Sequence, residues 1–572
     1  MPPGEVSSRT ELEQLGERIS DLERRISALE RPAEVPSLRA KTAAHPAEPL
    51  LSPHSGAAEP QPQLNVVAVL GASVLGIAGA YGLRAVAESR VLPSSVAVAL
   101  ALLYAVAWLV WAARPHILNG IRRNCYATTS ALILTPLLWE ATVRFQMIAP
   151  AASAAVLVAF AALAIALAWR TQHASLAWMG ILTAVITEMI LMVATRALPS
   201  FATALLAIAF LIEVTALRGR WPGLRTVVAA AADFAVLVTV LILGNTAAIP
   251  SDYQLVRPAG IVALAGTLFA IYAGSVSIRS LAFRLKIGAF EMSQLVAAIS
   301  LASWAVLRVT KGNGRGPLGA AFFVAGAACY FVAFGVLARH REWPNFYFYA
   351  ACAVALVTAG SFFALSPAPL VIWLCLAAVL ATALGVYSRS PALHLHGVVY
   401  LGAASIASGL LAYAARALAR DYPGLPGALP IIAAIAALAC MAMISRYRGE
   451  RLAERCLRLL PAVLAVYAIA ALAAAALVWT AAHATAPTRP QLAVIRTIVT
   501  CAAALVLAFI GARWNRRELV WIAYAIAVLG SVKLVFEDLR FDTSQSLAAS
   551  LLMYGAVLIL IPRLVRAGKR LA

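Results

Sequence analysis

Charge is what this sequence has least of. Only 12% of its 572 residues are Asp, Glu, Lys or Arg, where a water-soluble domain carries about 25%. A soluble core is therefore excluded. Acidic residues are the scarcer sign, 25 against 46 Lys and Arg. The basic surplus does not form a nucleic-acid-binding domain, because it sits in short loops between apolar runs, where positive charge sets membrane topology. No nucleic-acid partner is expected. Cysteine is sparse too. Cys125, Cys329, Cys352, Cys375, Cys440, Cys456 and Cys501 stand singly in or beside apolar runs. No pair has metal-ligand or redox spacing, so they read as small hydrophobes of helix packing. His394 and His396 are two residues apart, on different faces of a helix, with no acidic or thiol neighbour to complete a metal site. There is no Walker-type phosphate loop and no strand-rich segment, and the loops after residue 63 are too short to hold a soluble catalytic domain. ATP hydrolysis is not expected, and no motif implies a cofactor or a metal. Residues 1–63 lack the basic start and apolar stretch of a secretory signal.

What fills the chain is hydrophobic sequence, 62% of all residues. From Leu64 onward about eighteen apolar runs follow one another, each near the roughly 20 residues that a helix needs to cross a bilayer. The expected fold is an all-α polytopic membrane protein of about eighteen transmembrane helices. A short coiled coil and a disordered Pro/Ala-rich linker precede them. With the N-terminus cytoplasmic, even-numbered loops collect Arg218, Arg220 and Arg225, then Arg279, Arg284 and Lys286, then the basic 446–458 loop and Arg513, Arg516 and Arg517. That bias predicts an even number of spans with both termini in the cytoplasm. The lipid bilayer of a bacterial inner membrane is the expected surround. Small residues such as Ala72, Gly76 and Ala80, at four-residue spacing, allow close helix approach.

The N-terminal arm divides into a disordered start (1–9), a helix (10–31) and a linker (32–63), ahead of the membrane domain (64–565) and a basic tail (566–572). In the helix, Leu12, Leu15, Ile19, Leu22, Ile26 and Leu29 are spaced alternately three and four apart, a heptad seam. Ile19 and Ile26 at position a, with leucines at d, favour a parallel dimer, and Arg18–Glu23 and Arg25–Glu30 fall at bridging g and e positions. Pro32 ends the helix. The alternative is a lone amphipathic helix. The linker is rich in Pro, Ala, Glu and Ser and has too few bulky apolar residues to bury a core. In a Cys-free background, a cysteine at position 22 is expected to crosslink to its twin in membranes. Failure at every a and d position would leave the lone-helix reading.

Ionisable side chains within apolar runs cost about 2.5–3.5 kcal/mol each on insertion scales, so their placement needs a reason. Arg84 and Glu88, Glu140 and Arg144, and Lys533 with Glu537 and Asp538 lie about one turn apart near helix ends. Glu188 lies in another span with Arg196 beyond it. All fall toward the outward side in the topology above. They read either as interfacial anchors that snorkel to water or as one outward polar cavity that binds substrate. Asp233 lies well inside its span and Glu291 near the inner end of the ninth, neither with a partner at helical spacing. Each is expected to be neutral or paired across helices, and either could carry a proton.

Two stretches carry a family resemblance. Val69–Glu88 (VLGASVLGIAGAYGLRAVAE) resembles the glycine-rich first helix of a large family of bacterial polytopic membrane proteins classed only as a domain of unknown function. Tyr81, Arg84 and Glu88 fill that helix's aromatic, basic and acidic places. Gly530–Leu539 (GSVKLVFEDL) is similar to the family's late Lys-Leu…Asp-Leu helix through Lys533, Leu534, Asp538 and Leu539. The heptad arm and Pro-rich linker also fit. The resemblance implies a shared constellation of Arg84, Glu88, Lys533 and Asp538, but no substrate. The leading expectation is transport or handling of a small polar or lipid-linked envelope molecule through an outward-facing cavity. The alternatives are a polytopic glycosyl- or acyl-transferase-like enzyme with an outward carboxylate, and a non-catalytic scaffold dimerising through its arm.

Overall fold

The computed structural model describes residues 71–80, 82, 93–114, 120–219, 222–245, 252–253, 256–340, 343–419, 424–444, 452–481, 489–514, 516–534, 536 and 544–571. The arm and its seam, the linker, and Arg84, Glu88, Glu537 and Asp538 lie outside them. The structure is 90% helical, with no strand among the described residues. In chain order the helices are α1 (Gly71–Ala80), α2 (Ser94–Ala112), α3 (Gly120–Trp139), α4 (Pro150–Thr171), α5 (Ala174–Thr195), α6 (Leu198–Ala216), α7 (Pro222–Leu243), α8 (Pro258–Ser277), α9 (Ala289–Val309) and α10 (Arg315–Tyr330). There follow α11 (Trp343–Ala364), α12 (Pro367–Ser388), α13 (Pro391–Ala407), α14 (Leu410–Ala419), α15 (Ala428–Ile444), α16 (Leu452–Ala481), α17 (Arg489–Arg513), α18 (Arg517–Lys533) and α19 (Ser544–Leu571).

Among the described residues, thirteen helices are long and apolar enough to cross a membrane, or fourteen if α13 and α14 form one broken span. The chain is thus an all-α polytopic membrane protein, with fewer clear spans than the eighteen apolar runs suggested. The run at 64–87 is described only over 71–80 and 82, and that at 426–446 yields the shorter apolar helix α15. Those at 125–143 and 517–538 yield α3 and α18, which carry Arg122, Arg123 and Asn124, and Arg517, Glu518 and Lys533. At the C-terminus, α19 stays helical through Leu571, so the basic tail begins as its last turns.

Local sequence explains how the helices connect. After α4, α5 and α12 the chain turns on one left-handed residue, Gln172 (φ 61°), Arg196 (φ 59°) or Arg389 (φ 52°). Each is followed by one non-helical residue, and then the next helix begins. A left-handed residue after the last turn satisfies orphan carbonyls, and Pro199, second in α6, and Pro391, first in α13, sit where a missing N–H costs nothing. Pi-helical turns end α3 (Glu140–Arg144), α8 (Ile278–Ala282) and α10 (Phe331–Leu337). The first follows Pro136 inside α3, which cannot donate to the ladder.

Side-chain packing forms three main cores. One draws on residues from α2 to α9, a second on α11 to α16, and a third on α16 to α19. A smaller cluster, with Val276, Leu337, Phe346 and Tyr349, joins the end of α8 to α10 and α11. On α1, Gly76 lets the backbone approach the Trp108 ring, where a Cβ would come within 2.5 Å. The Tyr104 hydroxyl donates to the Gly76 carbonyl at 3.1 Å.

Candidate functional site

The densest polar cluster among the described residues lies where α6, α7, α8 and α9 meet at one end of the bundle. This is the basic end, which carries Arg218, Arg225, Arg279, Arg284 and Lys286. The turn after α6, with Gly219 at φ +76°, folds α7 back on α6. It brings Arg225 near the start of α7 against Glu213 near the end of α6. Arg225 Nε donates to Glu213 Oε1 and its Nη2 to Oε2, each at 2.9 Å. This fork-to-fork geometry is the strong form of the Arg–carboxylate pair. The third arm, Nη1, donates to Glu291 Oε1 of α9 at 2.7 Å. The Arg225 guanidinium also lies 4.6 Å from the centroid of the Phe290 ring. Glu213, Arg225 and Glu291 are 4%, 6% and 7% exposed, so the pairing takes place out of water.

The surrounding groups complete the pattern. The Ser275 hydroxyl of α8 donates to Glu213 Oε2. Arg279, on the π turn after α8, lies 3.5 Å from Glu291 Oε1 and donates to the Ala216 carbonyl at 3.2 Å. Glu291 Oε2 accepts the Gly288 N–H at 3.0 Å, capping α9. One turn further along α9, Gln294 Nε2 donates to Asp233 Oδ1 at 2.8 Å. Asn345 at the start of α11 accepts the Ile287 N–H at 3.3 Å and donates to the Leu285 carbonyl at 3.1 Å. Two arginines and two glutamates thus neutralise one another, and hydrogen bonds tie the ends of four helices. Burial of such a group is costly unless every member is paired.

Asp233 and Glu291 are therefore both partnered across helices. The partners are hidden in the sequence: no motif surrounds Glu213, and Arg225 and Arg279 read only as topology charges. A carboxylate three residues from the end of α6, ahead of an Arg-rich loop, was the available signal.

The outward-set residues are more dispersed. Glu140 and Arg144 form a loose pair at 4.0 Å on their own π turn, with the Arg144 side chain 56% exposed. Arg196 pairs instead with Asp252. Lys533 Nζ donates to the Ala493 carbonyl at 3.0 Å and to Thr497 Oγ1 at 2.8 Å on α17. Glu188 is fully buried, and neither carboxyl oxygen has a hydrogen-bond partner. His396 Nδ1 shares a hydrogen bond with the Tyr330 hydroxyl at 2.9 Å, which reaches Tyr400 at 2.9 Å. Nearer the C-terminus, Arg458 and Glu518 form a further ion pair at 2.6 Å, with Glu518 buried and Arg458 partly so. Compared with known proteins, the chain matches no family model, no curated protein and no solved structure.

Proposed function

We propose that this multi-pass membrane protein transports or hands on a small polar or lipid-linked envelope molecule across a bacterial inner membrane. In this reading the Arg225–Glu213–Glu291 cluster is the latch that closes one end of the pathway. The observation that supports it is the buried network joining α6, α7, α8 and α9. A static bundle gains little from such a network, since well-packed apolar residues in place of a buried ion triad are often neutral or stabilising by about 1–4 kcal/mol. A moving bundle does gain, because ion pairs have discrete made and broken states. Glu291 already has two cations to choose between, Arg225 and Arg279. By the positive-inside rule the latch lies at the cytoplasmic end and both termini are cytoplasmic. Membership of the uncharacterised polytopic family belongs to the same reading.

The test is retention of a small polar solute. Proteoliposomes holding the full-length protein are loaded with radiolabelled sorbitol. Glu291→Gln frees α9 from the latch but leaves the bidentate Arg225–Glu213 pair. Its vesicles are expected to leak about tenfold faster than wild type, as about 1.4 kcal/mol of lost barrier would give. Equal retention by a folded variant would sink the latch and favour the scaffold.

A further inference from the structure

The latch accounts for Glu213, Arg225, Arg279 and Glu291. It does not account for Glu188. That residue lies on α5 seven residues before Thr195, about 10 Å from the helix end at 1.5 Å per residue. It has no exposed surface, and both of its oxygens lack a hydrogen-bond partner. The contrast within the same chain is sharp. Glu213 and Glu291 hold Arg225, Glu518 holds Arg458, and Asp233 holds Gln294.

The elements packed on α5 are α3 with its π turn, α4, α6 and α7. From α3, Arg122, Arg123, Cys125 and Tyr126 sit near its start, about a helix length from Glu188. From the π turn come Glu140 and Arg144, which pair with each other. From α4 the charged group is Arg170, at the far end. From α6 it is Glu213, and from α7 Arg225 and Asp233, all engaged elsewhere. The neighbouring hydroxyls are committed too. Thr187 Oγ1 donates to the Thr183 carbonyl at 2.6 Å and meets Thr135 of α3 at 2.8 Å. Thr183 Oγ1 donates to the Met179 carbonyl at 2.6 Å.

Neither state of this carboxyl is comfortable. As a carboxylate it lacks a counter-ion, and as an acid its O–H lacks an acceptor. A residue that is costly both ways is not explained by packing. We infer that Glu188 is an intramembrane proton-binding site whose carboxyl takes up and releases a proton within the bundle around α5. The ligand is a proton rather than a metal cation, because a metal would require several oxygens and the nearby hydroxyls are spent. This inference goes beyond the transport reading and does not rest on the latch or on which end is cytoplasmic. Sorbitol retention and the measurement below therefore fail separately.

The test uses full-length protein in lipid and the isosteric, uncharged variant Glu188→Gln. Difference infrared spectroscopy, wild type minus variant, is expected to show the C=O stretch of a protonated carboxyl. That band should disappear as the buffer is made alkaline and return on acidification. A membrane-soluble carbodiimide, which adds to protonated buried acids, is expected to modify Glu188 in wild type, more slowly at alkaline pH, with Glu213 and Glu291 left unmodified. The infrared signal decides the matter, because it does not depend on reagent access. Absence of the band at every pH, or a band unchanged by pH, would overturn the proposal. The variant must elute as a folded species for the subtraction to count, and Glu188→Asp, which keeps the acid, is expected to retain a titrating band.

Discussion

Arg225→Ala is expected to destabilise the protein by about 3–5 kcal/mol, because removing one member of a buried ion group leaves the others uncompensated. In this chain the survivors would be Glu213 and Glu291, both buried. Ser275 would still donate to Glu213, and the Gly288 N–H and Arg279 would still reach Glu291. Glu213 is therefore the group left most exposed to the loss, since Arg225 is its counter-ion and the donor to its Oε1, while Ser275 reaches only Oε2. Combining Arg225→Met with Glu213→Gln and Glu291→Gln removes every uncompensated charge of the triad at similar volume. That triple variant should recover most of the stability lost by the single one. Reversible detergent unfolding in mixed micelles measures both. If the single variant lost less than the triple, the cluster would not be held together by charge.

Such a result would also bear on what a sequence can disclose. Hydropathy placed the spans at 150–170 and 174–195 almost where α4 and α5 lie, because an apolar run bounded by polar turn residues has few other options in a bilayer. It could not show that the run at 391–415 is broken. There Gly409, at φ +73°, and the Ser408 hydroxyl, which accepts the Leu410 N–H, bend α13 and α14 by 65°. Pairing was legible only within one helix, as for Glu140 and Arg144, where four-residue spacing puts two side chains on one face. Glu291 stands 66 residues from Arg225, and Asp233 61 from Gln294. Those contacts are decided by which helices become neighbours. The depth of a carboxylate in its run marks it as expensive; only the packing tells whether the expense is met by an arginine, by an amide or, for Glu188, by nothing.

The second large effect is expected from the tightest helix pair. Of the described helices, α10 and α11 pack most extensively on one another, and glycine makes that approach feasible. A Cβ on Gly319 would come within 2.8 Å of the Ala364 backbone nitrogen and 2.9 Å of the Gly360 carbonyl oxygen. One on Gly360 would come within 3.0 Å of the Gly319 carbonyl. Because these neighbours are backbone atoms, no rotamer change relieves the clash, and the helices themselves must part. Lipid is as apolar as the helix surfaces, so association in the bilayer depends on such close packing. Overpacking a core costs about 1–3 kcal/mol and occasionally more. Gly319→Leu should lie at or above the upper end, since separation would also loosen Gly326 from Val357 two turns further along the same face. Gly316→Leu is the matched control. It lies on the same helix with nothing within 4 Å of its Cβ position, and it should unfold with wild type in the same detergent titration. If both leucines were tolerated equally, the α10–α11 contact would not be the close-packed seam that these distances describe.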